Sequence, residues 1–127
     1  MTPDDTTANE VAINEARIDH AAETVGVDRG ALADALVVFH PELLGRHSEF
    51  ESEPYVTVDG TRAYRVSESA VDELLADFDF GEEVTAAVKL AHTEQAELLF
   101  ADAVQGDDDF DTDECGLVVG IDTAEQF

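Results

Sequence analysis

The chain has 127 residues, the size of one domain with a sizeable core, and its 31 acidic residues against six basic ones give a formal net charge of −25. Phosphate groups are bound by Lys and Arg, so this charge argues against nucleic acid and anionic membranes as partners. No apolar run reaches the roughly 18 residues of a membrane span, and the N-terminus has no signal-peptide pattern. We therefore expect a cytoplasmic protein.

The N-terminal part predicts a tail followed by one globular domain. Residues 1–9 are polar and acidic, and we expect them to be disordered, with a single domain over 10–127. Apolar residues at helical spacing predict a first helix from Asn9, and Gly26 is a suitable stop.

A second helix is predicted to begin after Asp28, which is a good N-cap. Pro41 should end this helix, because its ring clashes with the preceding turn. The residues from Pro41 to Gly45 are then expected to form a separate short turn.

An Asp-Gly pair at 59–60, between runs of β-branched and aromatic residues, predicts a β-hairpin over about 54–66. The expected cross-strand pairs are Val58–Thr61, Val56–Ala63 and Tyr55–Tyr64. Both faces of this hairpin carry apolar residues. We therefore expect helices to cover one face and a partner to cover the other.

Two further helices are predicted after the hairpin. Ser67 or Ser69 can cap the first, and Asp79 can cap the second, which should run from about 80 to 105. His92 lies on the apolar face of the second helix, where we expect a hydrogen-bonded polar group at the core edge. The expected buried stripe of that helix is Val84, Val88, Ala91, Gln95, Leu98 and Leu99.

A last strand is predicted at about 116–121, where it could complete a sheet with the hairpin, because a lone hairpin is marginal in water. The alternative is that this strand pairs with another chain. The predicted fold class is α+β, mostly helical, with about four main helices and a small sheet.

The stretch "GDDDFDTDECG" (106–116) contains five Asp, one Glu and the only cysteine. Asp109, Asp111 and Asp113 are weak candidates for a divalent-cation site, but both calcium-loop registers lack the required Gly and Glu. A hydrated link over 107–113 that attracts potassium diffusely is the preferred interpretation. No specific metal and no cofactor is predicted.

The lone cysteine, Cys115, cannot form an internal disulfide. Neighbouring carboxylates should raise its pKa, so we expect a small, half-buried residue of a strand edge rather than a nucleophile. No catalytic residue is predicted, because hydrolase, phosphate-loop and dinucleotide motifs are missing from the sequence.

Half of the basic residues lie between positions 46 and 65, close to two histidines. If the protein has a polar pocket for an anion or a small substrate, the expected ligands are His40, Arg46, His47 and Arg62. The alternative is that these arginines form ordinary surface ion pairs with the acidic residues at 49, 51 and 53.

The acidic surface, a single lysine (Lys89) and an interior rich in Ala and Val resemble the proteins of halophilic archaea, including their small uncharacterised families. The resemblance implies a solvent with molar potassium or sodium salt, in which charge repulsion is screened. The predicted function is a non-catalytic protein-interaction module, forming a homodimer. The alternatives are a small enzyme or anion-binding protein and, more weakly, a divalent-cation protein.

Overall fold

Four α-helices and a three-stranded antiparallel sheet make up the part of the chain that the computed structural model describes, residues 13–50, 53–58, 60–103 and 113–120. The elements are α1 (Glu15–Val25), α2 (Arg29–Arg46), a 3₁₀ turn (His47–Phe50), β1 (Tyr55–Val58), β2 (Thr61–Ser67), α3 (Glu68–Leu75), α4 (Glu82–Ala103) and β3 (Glu114–Gly120). The fold class is α+β, as the sequence predicts.

Local capping signals set several of these helix ends. Gly26 ends α1 in the left-handed conformation, with φ +89°. The Asp28 carboxylate accepts the N–H of the third residue of α2, and the Ser67 hydroxyl does the same for α3. Helix α1 starts after Asn14, whose side chain is its N-cap. The predicted continuous helix from Asn9 is therefore wrong, because Ile13 and Asn14 are not helical. The predicted tail 1–9 lies outside the described residues.

The prediction that Pro41 ends the second helix is wrong. Helix α2 continues through Pro41 as far as Arg46, so the expected separate turn is its last part. Proline removes one backbone hydrogen bond from a helix. Phe39 and Leu43, on either side of the proline, are both buried in the core, and their packing offsets that loss.

The sheet has the strand order β1-β2-β3, and the predicted hairpin register is confirmed at all three pairs, including Tyr55 with Tyr64. β3 pairs with β2 within the chain, so the predicted completion of the sheet is also confirmed. The strand begins at Glu114, two residues before the predicted start. Its ladder with β2 then extends to Ser67, the N-cap of α3.

Each face of the hairpin is covered in part by the chain itself. Val56 and Ala63 are buried on one face, and Tyr64 and Val66 are buried on the other. Tyr55 and Thr57 lie on the same face as Tyr64 and stay exposed. The expected partner at this face therefore remains a prediction.

Helix α4 packs against all three strands and against α1 and α2. Its buried side runs through Ala87, Val88, Ala91, His92, Gln95, Ala96 and Phe100. The predicted stripe is wrong at Leu98, which is 45% exposed, because the buried side turns toward Ala96 and Phe100. Among the described helices, none is long and apolar enough to cross a membrane.

Candidate functional site

An aromatic and cationic surface lies on the hairpin. The guanidinium carbon of Arg62 lies 4.6 Å from the centre of the Tyr55 ring, and Arg62 Nε donates to Thr57 Oγ1 at 3.1 Å. Tyr55 is 43% exposed, and its ring also contacts that of the buried Tyr64. The cross-strand register places Tyr55, Thr57 and Arg62 on one face, where the arginine and the ring hold each other in place.

Two of the other predicted ligands, His40 and Arg46, have their described contacts away from Arg62. His40 is buried in α2, and Arg46 at the end of α2 forms ion pairs with Glu42 and Glu49. The side chain of His47 lies outside the described part of the structure. In the described residues, no contact joins His40 or Arg46 to Arg62. The alternative prediction, a local ion pair, is confirmed for Arg46 with Glu49.

Two histidines are buried in the core, His40 in α2 and His92 in α4. His40 and His92 each have a buried Nε2 atom for which the described residues provide no hydrogen-bond partner. Burial lowers the pKa of His40. Burial, together with the nearby His40, lowers the pKa of His92 to about 3. Both rings are therefore neutral at pH 7, and His92 also packs edge-on against Phe39.

The hydrogen bond of His92 determines which of its nitrogens carries the proton. The N–H of Val118 in β3 donates to Nδ1 of His92 at 3.2 Å, so Nδ1 is an acceptor and the proton of the neutral ring is on Nε2. A metal ion at Nε2 would displace this proton and leave an imidazolate. In the core the ring therefore accepts a hydrogen bond at Nδ1 and is not a ready metal ligand.

A shallow groove of about 260 Å³ contains the only lysine and the only cysteine of the chain. Burial disfavours the charge of Lys89, but hydrogen bonds to Asp72 and Glu68 outweigh it and raise its pKa. Burial is the main cause that raises the pKa of Cys115, and a hydrogen bond with Thr93 opposes it. The pKa of the thiol is raised, as predicted, but mainly by burial and not by the carboxylates next to it in the sequence.

Of the three predicted cation ligands, the structure describes one, Asp113. Asp109 and Asp111 lie outside the described residues, while Asp113 is exposed and its carbonyl accepts the N–H of Glu68. In the ranges that the structure describes, no three His, Cys, Asp or Glu side chains are arranged to hold a metal ion.

Sequence reasoning included Arg62 but missed its partners Tyr55 and Thr57 as candidate site residues. The signal for them was available, since the predicted register places Tyr55 and Tyr64 opposite each other and Thr57 opposite Arg62. The contacts of Lys89 and His92 join distant segments, and no local pattern in the sequence indicates them.

The fold defines a small α+β protein in which one long helix packs against a three-stranded sheet. Residues 11–121 match the family described as Domain of unknown function (DUF8048), and the chain belongs to this family. Comparisons with curated proteins and with solved structures gave no match.

Proposed function

We propose that this protein is a non-catalytic protein-interaction module of a high-salt cytoplasm and that it forms a homodimer. The observation that carries the proposal is the half-exposed Tyr55 with Arg62 stacked on its ring. Tyr and Arg are enriched in the residues that dominate binding energy at interfaces. Here the ring is ordered before binding by Arg62 and Tyr64, which reduces the entropy lost on association.

The charge of the chain supports a high-salt setting for this interaction. Two copies of a chain of charge −25 repel each other strongly in dilute buffer. In about 1 M salt the screening length is about 3 Å, so only charges in near contact still repel. The exposed face of the hairpin carries the cation of Arg62, so two such chains can approach each other there.

Light scattering in about 2 M KCl tests the proposal, since surface repulsion is largely screened there. A mass of twice 13.7 kDa is expected for the wild type. Tyr55→Ser should weaken the dimer, whereas Leu98→Ser removes an equally exposed apolar side chain from α4 and should not. A wild-type monomer at every concentration would refute the homodimer, and equal effects of both variants would refute the role of Tyr55.

A further inference from the structure

Within the described part of the chain, backbone groups on the outer edge of β1 have no partner. In an antiparallel pair, the N–H and C=O groups of alternate residues point toward the partner strand or away from it. The N–H of Arg65 donates to the carbonyl of Pro54 at 2.9 Å, so every second residue from Pro54 faces β2. The backbone groups of Tyr55 and Thr57 therefore point away from the sheet.

The opposite edge of the sheet is covered. The outward N–H groups of Gly116 and Val118 in β3 donate to Thr93 and His92 of α4 at 3.0 and 3.2 Å. Among the residues that the structure describes, no hydrogen bond reaches the outward N–H of Tyr55 or Thr57, and both residues are exposed.

The residues of β1 are not those of a protected edge. Natural proteins block exposed edges with charges, bulges or a covering element. The strand reads Tyr-Val-Thr-Val, with high β-propensity and no charge, in a chain with 29% charged residues. A second copy approaching this strand meets no carboxylate from β1 itself, and the cation of Arg62 lies on the same face as Tyr55.

We propose that the outer edge of β1 is the dimer interface, where a second copy adds its own β1 in antiparallel orientation and the two sheets join into one of six strands. An antiparallel pair of identical strands has a two-fold axis, so the same edge serves both copies. With the axis at Val56, Tyr55 pairs with Thr57 of the second copy and Thr57 with its Tyr55. This interface rests on the proposed homodimer and specifies its geometry.

Sedimentation equilibrium of single-residue variants tests whether the edge of β1 is the dimer interface. The measurement is made in about 2 M KCl, where salt screens all repulsion except that between charges in contact. Thr57→Glu places a carboxylate at the edge of each copy and should raise the dimer dissociation constant by about tenfold or more. Ala101→Glu adds the same charge at an exposed position of α4 and should leave it unchanged. Thr57→Val keeps the strand neutral and should also leave the dimer intact.

Hydrogen exchange of the wild type provides a test that does not depend on a variant folding. The amides of Tyr55 and Thr57 should become protected as the protein concentration rises through the dimer range. The amide of Val56, which already bonds to β2, should not change. A dimer that tolerates Thr57→Glu and leaves these amides unprotected overturns the edge interface but not the homodimer. A wild-type monomer overturns both.

Discussion

Acid should destabilise this protein through His92, whose ring is fully buried beside Phe39 and Val118. Burial, with a contribution from His40, lowers the pKa of His92 from 6.5 to about 3. Between these two values the unfolded chain binds a proton at His92 and the folded chain does not. The free energy of unfolding is therefore unaffected by His92 above about pH 6.5 and falls as the pH drops below it.

The expected loss follows from the size of this shift. A pH of about 5 lies about 1.5 units below the pKa of His92 in the unfolded chain. In the folded protein the ring is still neutral at this pH. Each unit corresponds to about 1.36 kcal/mol, so His92 removes about 2 kcal/mol of stability between about pH 8 and about pH 5. Burial also lowers the pKa of His40, which adds a loss in the same direction.

Urea unfolding in about 2 M KCl at both pH values measures this loss for the wild type and for His92→Asn. The asparagine can still accept the N–H of Val118 through Oδ1, but it does not titrate. The variant should be less stable at both pH values because it is smaller, yet lose about 2 kcal/mol less on acidification. The many carboxylates are common to both proteins, so their contribution to the change in unfolding free energy with pH cancels in the comparison.

The control is Val88→Ala, which removes buried volume from the same helix, α4, but removes no titratable group. This variant should lose as much stability on acidification as the wild type. If His92→Asn shows the same pH dependence as the wild type, the core does not exclude the proton from His92 and the reasoning is refuted.

Three further outcomes are expected. Gly26→Ala should lower the free energy of unfolding by about 1 kcal/mol, because φ of +89° is strained for a residue with a Cβ, while Gly45→Ala inside α2 should raise it by up to about 1 kcal/mol. Thermal unfolding compares the two, and a change of the same sign at both positions would contradict this. Cys115 should react with an aromatic disulfide at about pH 8 much more slowly than a free thiol and become reactive in urea, as followed by absorbance; immediate reaction of the folded protein would argue against its burial. Lowering KCl from about 1 M to about 0.1 M extends the screening length from about 3 Å to about 10 Å and should lower the unfolding midpoint, whereas an unchanged midpoint would contradict the proposed salt requirement.

Structural features that depend on residues close together in the sequence could be predicted from it. The Asp-Gly turn determined the hairpin register, and Gly26, Asp28 and Ser67 marked helix ends through bonds within three or four residues. The prediction that Pro41 ends the second helix failed for a physical reason. The local cost of the proline is real, but the buried Phe39 and Leu43 around it belong to the same packed side of α2, and tertiary packing overrides local preference.

Contacts between distant segments could not be predicted in the same way. The Oε1 atom of Gln95 accepts the N–H of Asn14 at 3.0 Å, across 81 residues, and nothing near either residue in the sequence indicates this contact. The surface around Tyr55 is an intermediate case. The predicted register already placed its neighbours, but their exposure depends on how the helices cover the rest of the sheet.

The contact between α4 and β3 has a consequence for how the chain folds. The outward amides of β3 depend on side chains of α4 that lie 23 and 26 residues earlier, so the strand is not fully satisfied until the helix has docked. Partial unfolding of α4 would leave Gly116 and Val118 without acceptors, and loss of β3 would leave the buried Nδ1 of His92 without a donor. The helix and the sheet are therefore expected to unfold in a single cooperative transition, without a stable intermediate that retains the sheet alone.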